Sequence, residues 1–199
     1  VKTARDAAMQ TRSRREGVSG HKLVGYTSSE AHACVERAFD MVGLGAEALR
    51  KVRVTENFTL DVDALNAQIE KDKAAGLQPF FVSGTAGTVN TGATDNLDEL
   101  SDVCARYGLW FHVDGAFGAC AQLHPELRKR LTGIEKADSL AFDFHKWLQV
   151  NYDAGCVLFR DAQAHLDAFS DRPDYLAQSD EGLAAGFPWP VDLGPELSR

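Results

Sequence analysis

Residues 139–153 read SLAFDFHKWLQVNYD. The first six, SLAFDF, form a short apolar run of strand length. A lysine, Lys146, then stands among Phe144, His145, Trp147 and Leu148. Lysine is rarely buried unless it is paired or used. Burial among apolar groups would lower its pKa and free its amine for chemistry. Alternatively, its stem lies along aromatic surface with the charge in water. The stretch by itself leaves both readings open.

Outward from it, the same pattern repeats. LVGYT (23–27), VRVT (52–55), FFVSG (80–84), LWFHVD (109–114) and AGCVLFRD (154–161) read as further strands. Helical patterns separate them. Ser28 and Ser29 are candidate caps for AHACVERAFDMVGLG. Asp61 is a candidate cap for a helix with Val62, Leu65 and Ile69 on one face, ending at Gly76. A third helix carries Leu97, Leu100, Cys104 and Tyr107 and stops at Gly108. Residues 1–15 read as a helix already under way. Continuous apolar strands between amphipathic helices predict an α/β fold: a mainly parallel sheet with helices on both faces.

Composition agrees. The 199 residues are 44% hydrophobic and 25% charged, which is ordinary for a globular domain. A formal net charge of −8 argues against nucleic acid or an anionic membrane as the main partner. No apolar run reaches the length of a membrane span, and the expectation is a cytoplasmic protein. The four cysteines make no CxxC pair and read as reduced, buried thiols.

In such sheets ligands bind beyond the carboxyl ends of the strands. His32 is expected in the first helical turn after the first strand. A Gly/Thr-rich loop follows the third, Asp114 ends the fourth, and His145-Lys146 follow the fifth. Ionisable groups therefore gather at one edge. GTAGTVNTG fits neither GxGxxG nor GxxxxGK[ST], and GxSxG is absent. His112 and Asp114 share a strand face, but no third ligand suggests a metal. His124 and His165 read as surface residues. What remains, a lysine, an acid and an imidazole, is the set that pyridoxal phosphate chemistry needs. The amine condenses with the cofactor aldehyde, the acid keeps the pyridine nitrogen protonated, and a ring stacks on the cofactor. Singly, Asp114 could instead be a helix cap and His32 a polar residue of a first turn.

HVDGAFGA, ADSLAFDFHKWLQVNYDAG and YTSSEAHACVERA together resemble the pyridoxal-phosphate-dependent group II amino acid decarboxylases, of which the aromatic-L-amino-acid decarboxylases are the best known. The resemblance runs through most of residues 22–199. It implies the type I aminotransferase-like large domain, a homodimer, and decarboxylation of an L-amino acid to the amine and carbon dioxide. Trp147 leans the substrate toward the aromatic amino acids. Carried onto this sequence, it implies that Lys146 holds the cofactor and Asp114 pairs with the pyridine nitrogen. His32 would stack on the ring, Ala116 would lie near it, and His145 would flank the lysine. RPDYLAQ (172–178) matches the family's mobile catalytic loop, with Tyr175 as the proton donor after carbon dioxide leaves.

The sequence also departs from the pattern. Asp143 and Phe144 replace the family's Asn and Pro, and Asp143 is expected to turn from the phosphate or be protonated. Val89 replaces a threonine. The resemblance makes residues 1–199 the central part of the large domain, with the N-terminal segment, phosphate loop and C-terminal small domain lying outside them. GPELSR (194–199) reads as a helix start. An aldehyde synthase, an aminotransferase or a non-catalytic fragment are the competing readings. A phenol at position 175 favours the decarboxylase.

Overall fold

The computed structural model describes residues 1–171, 181, 185–186 and 188–195. Six strands form one sheet: β1 (Leu23–Ser28), β2 (Leu49–Val52), β3 (Gln78–Thr85), β4 (Trp110–Asp114), β5 (Ser139–Asp143) and β6 (Gly155–Phe159). Their spatial order is β2-β1-β3-β4-β5-β6. The first five run parallel and β6 is antiparallel to β5. The expected α/β architecture is thus present. Chain order reverses between β1 and β3, and this places a crevice where the loops leaving those two strands part.

The helices are α1 (Lys2–Ala8), α2 (Ser13–Glu16), α3 (Cys34–Met41), α4 (Val62–Ala74), α5 (Leu97–Tyr107) and α6 (Ala162–Phe169). On one sheet face, Leu65 and Ile69 of α4 and Leu97, Leu100 and Val103 of α5 pack on Tyr26, Val82, Phe111 and Val113. On the other, Ala4 of α1 and Val35 and Phe39 of α3 pack on Leu23 and Phe81. Each core is apolar on both of its surfaces, so the strands between them are apolar throughout. Gly25 lies in the middle of β1 because Phe39 occupies its side-chain space: a Cβ there would fall 2.5 Å from the ring.

The capping signals held where a side chain could reach the helix. Asp61 accepts from the Ala64 N–H at 2.9 Å, and α5 ends on left-handed Gly108. Four expectations need correction. β2 is LRKV rather than VRVT. Leu49 and Val52 are the residues that face the sheet's interior, while Val54 makes only an isolated bridge to Leu60. The N-terminal helix breaks at Gln10 and Thr11, both with positive φ, into α1 and α2. Ser28 and Ser29 do not cap α3. Ser28 is the last residue of β1, and the helix starts only at Cys34, after Ala33, whose own side chain makes no cap. Of the cysteines, all free, only Cys104 is buried and Cys34 is exposed. Residues 196–199, expected to start a helix, lie outside the described residues.

Candidate active site

The loops leaving β1, β3, β4 and β5 enclose a cleft of about 490 Å³. His32, Cys34 and Val35 line it from the β1 side. Thr85, Thr88 and Val89 line it after β3, and His112, Asp114, Ala116 and Phe117 along and after β4. Asp143 and Lys146 complete it after β5. The edge that sequence reasoning singled out is therefore the edge where the cleft lies.

Two loops meet there closely. The β3 loop turns at Gly87 and runs against Gly118, where a Cβ would lie 2.4 Å from the Ala86 carbonyl oxygen. Only glycine permits that approach. Asp95 anchors the same loop from behind. Its two carboxylate oxygens accept the Leu60 N–H at 2.7 Å and the Thr85 N–H at 2.8 Å. Burial pushes the Asp95 carboxyl up, against the pull of those two bonds.

Asp114 ends β4 and is buried. One of its oxygens accepts from Ala116 N–H at 3.1 Å, which closes the turn after the strand. No helix of the α type starts there, so Asp114 is not a helix cap. His112, two residues earlier on the same face, is half-buried along the cleft wall. Its ring stacks on Phe81 at 5.9 Å, and its Nδ1 lies 2.8 Å from Ser139 Oγ. Burial pushes its imidazole down to about 3. Among the described residues no three His, Cys, Asp or Glu side chains gather to hold a metal.

Lys146 lies in the turn joining β5 to β6. Its setting lies between the two readings the sequence left open. Its side chain is 28% exposed and pairs with Asp143 at 3.0 Å, with the Phe117 ring 4.3 Å away. Asp143 lines the cleft with its carboxylate against the Lys146 amine. His145 flanks Lys146 in the same turn, its Nε2 3.8 Å from the Asp143 carboxylate. Its Nδ1 accepts the Ala154 N–H at 2.9 Å and its ring meets Tyr152, so it braces the turn that carries Lys146. Trp147 is 58% exposed and is not part of the cleft lining.

His32 stands in the loop before α3 rather than in its first turn. Its Nδ1 accepts the Cys34 N–H at 3.2 Å, so the imidazole performs the capping expected of the serines. The Cys34 thiol lies within electrostatic reach of both Asp114 and Lys146. Burial is the main cause that pushes its pKa up. Tyr175 and the RPDYLAQ segment lie outside the described residues. His165 is no plain surface residue: it stacks on Phe159 at 4.0 Å and reaches the Leu193 carbonyl.

Sequence reasoning missed Phe117, Cys34 and Thr88 as cleft residues. Phe117 and Cys34 each follow a picked residue at short range, Ala116 and His32. The signal was their position just beyond a strand's carboxyl end. Thr88 sits in the Gly/Thr loop that sequence reasoning did flag.

Comparison with known proteins gives the family of the chain. Residues 1–194 match the model of the pyridoxal-dependent decarboxylase conserved domain, and the chain belongs to that family. The family uses pyridoxal phosphate. The chain is 39% identical over 174 residues to an aromatic-L-amino-acid decarboxylase of Bacillus atrophaeus, covering 87% of this chain and 36% of that one. It is 42% identical over 176 residues to a rat (Rattus norvegicus) histidine decarboxylase, covering 86% and 26%. Among solved structures it is similar to Oryza sativa TDC with PLP and tryptamine. There the TM-score is 0.82 at 33% identity, covering 89% of this chain and 37% of that one. The chain thus spans about a third, or less, of the length of these relatives.

Proposed function

We propose that the full-length protein removes the α-carboxylate of an L-amino acid as carbon dioxide and releases the amine. The observation that carries this is the meeting of Lys146 and Asp114, from two adjacent strand ends, in one cleft of a chain belonging to the decarboxylase family. The residues present fit pyridoxal phosphate. An amine stands ready for its aldehyde and a carboxylate for its pyridine nitrogen. Apolar walls from Val35, Phe81 and Phe117 suit a flat ring. The buried Thr85 hydroxyl, beside Asp114 in the register of the sheet, has no hydrogen-bond partner among the described residues.

When bound, pyridoxal phosphate supplies an electron sink for the pair left behind as carbon dioxide departs. The chain's own residues do the rest. Lys146 would hold the cofactor through its amine, and Asp143 and Phe117 fix where that amine sits. Asp114 holds a proton at the pyridine nitrogen. His32, steadied by its bond from Cys34, and Ala116 line the same cleft and would flank the ring. His145 positions the lysine turn. Tyr175, named through the family resemblance, would deliver a proton to the α-carbon.

The substrate is taken as an L-amino acid with a ring side chain. That chemistry is what the relatives named above share, and the apolar walls of the cleft suit it. Trp147, which suggested it from sequence, contributes nothing to the cleft. In this reading residues 1–199 are the central part of the large domain. A phosphate loop, a small domain and a second subunit complete the site. Incubation of the full-length protein with single L-amino acids and pyridoxal phosphate tests the reading. Equal amounts of amine and carbon dioxide are expected from at least one ring-bearing substrate. Aldehyde with ammonia, or amino-group transfer without carbon dioxide, would replace it with one of the competing activities.

A further inference from the structure

Three side chains of β4 and β5 form a chain of hydrogen bonds that the reaction above leaves unused. Trp110 Nε1–H donates to Ser139 Oγ at 2.9 Å, and Ser139 Oγ lies 2.8 Å from His112 Nδ1. An indole nitrogen only donates, so Ser139 Oγ is an acceptor on that side. Its single proton is then free to go elsewhere. Among the described residues the only other partner of that oxygen is His112 Nδ1. If Nδ1 carried a hydrogen, the oxygen would accept twice and the buried hydroxyl proton would be stranded. A stranded buried donor carries its full desolvation cost. Donation from Ser139 to Nδ1 satisfies all three groups.

The proton of the imidazole then belongs on Nε2. Phe81, stacked on the ring, and the Ser139 bond together set its plane. His112 and Asp114 alternate onto one face of β4, and both line the cleft. Burial is the main cause that disfavours the charged imidazole, and the Ser139 main chain works the other way. A neutral ring leaves the negative charge of Asp114 undivided. A cation beside that carboxylate would compete with a bound heterocycle for it.

We propose that His112 is a positioning residue: the Trp110–Ser139 pair holds its ring neutral and protonated on Nε2, as a hydrogen-bond donor beside Asp114. The identity of the group that receives this bond rests on the function proposed above, but the tautomer does not. Long-range proton–nitrogen spectra of the nitrogen-15-labelled full-length protein at pH 7 test it, with His112 assigned through His112→Gln. Wild type should show an unprotonated Nδ1 and a protonated Nε2. Ser139→Ala should bring in the other tautomer, and Ser139→Thr should restore the first. A protonated Nδ1 in wild type, or a Ser139→Ala spectrum identical to it, would overturn the proposal.

The second readout is the absorption of bound pyridoxal phosphate. It should shift in Ser139→Ala and return in Ser139→Thr, and an identical band in all three proteins would overturn the positioning role. Absence of borohydride labelling at Lys146 would strike the proposed function instead. The tautomer spectrum would still stand or fall by itself.

Discussion

Lys146 and Asp143 are three residues apart in a turn, and their 3.0 Å pair changes how the departure from the family's Asn is understood. A carboxylate there would repel a phosphate, but it attracts the amine beside it. Asp143→Ala should therefore leave the fold intact and loosen the amine, and slower recovery of bound cofactor after its removal would measure that. Asp114 is the more demanding position. If its charge supplies about 5–6 kcal/mol of the electron sink, Asp114→Asn should lower turnover by roughly 10⁴. Near-normal turnover with cofactor still bound would remove Asp114 from the role. Tyr175 is named only through the family resemblance. As proton donor it should contribute about 10²–10⁴-fold. Tyr175→Phe should then release amine slowly and divert some flux to aldehyde in air, measured by product chromatography. Unchanged amine release would end its assignment.

At the scale of elements, the cleft depends on the β3 loop, and that loop depends on Asp95. Asp95→Ala would leave the Leu60 and Thr85 N–H groups buried without partners. Each such group costs about 1–3 kcal/mol, so a clear drop in the urea midpoint with little change in slope is expected. An unchanged midpoint would mean that water or another acceptor replaces the carboxylate. The elements also show what a sequence makes legible. Strands β1, β3 and β4 lie between two apolar layers, so their apolar runs carried the signal directly. β2 is an edge strand buried only at its two ends, and its run slid by three residues because VRVT alternates apolar and polar residues whereas LRKV does not. His32 was placed one turn too far along because serines cap helices more often than imidazoles do. Here the imidazole took the Cys34 N–H.

For the whole molecule, the sheet order made the site readable: charged and polar groups at strand ends fall together only because β1 to β5 are parallel. The pairings within the cleft were not readable. Phe117 against Lys146, and Ser139 against His112, join residues 29 and 27 positions apart through the packing of neighbouring loops and strands. An apolar surface next to the cleft is also evident only in three dimensions. Trp147, Tyr152 and Leu158 are each more than half exposed. In the proposed homodimer such a surface has a partner. Residues 1–199 produced alone should therefore bind a hydrophobic dye and take up pyridoxal phosphate weakly, whereas the full-length protein should sediment as a dimer. A soluble, active monomer of residues 1–199 would contradict that assembly.

The central claim is that Lys146 holds the cofactor. Full-length protein incubated with pyridoxal phosphate should be reduced with borohydride, digested, and its peptides sequenced by mass spectrometry. A pyridoxyl group is expected on Lys146, within DFHKWLQVNYD, with its loss in Lys146→Ala. A pyridoxyl group on a different lysine, with Lys146 unmodified, would contradict it.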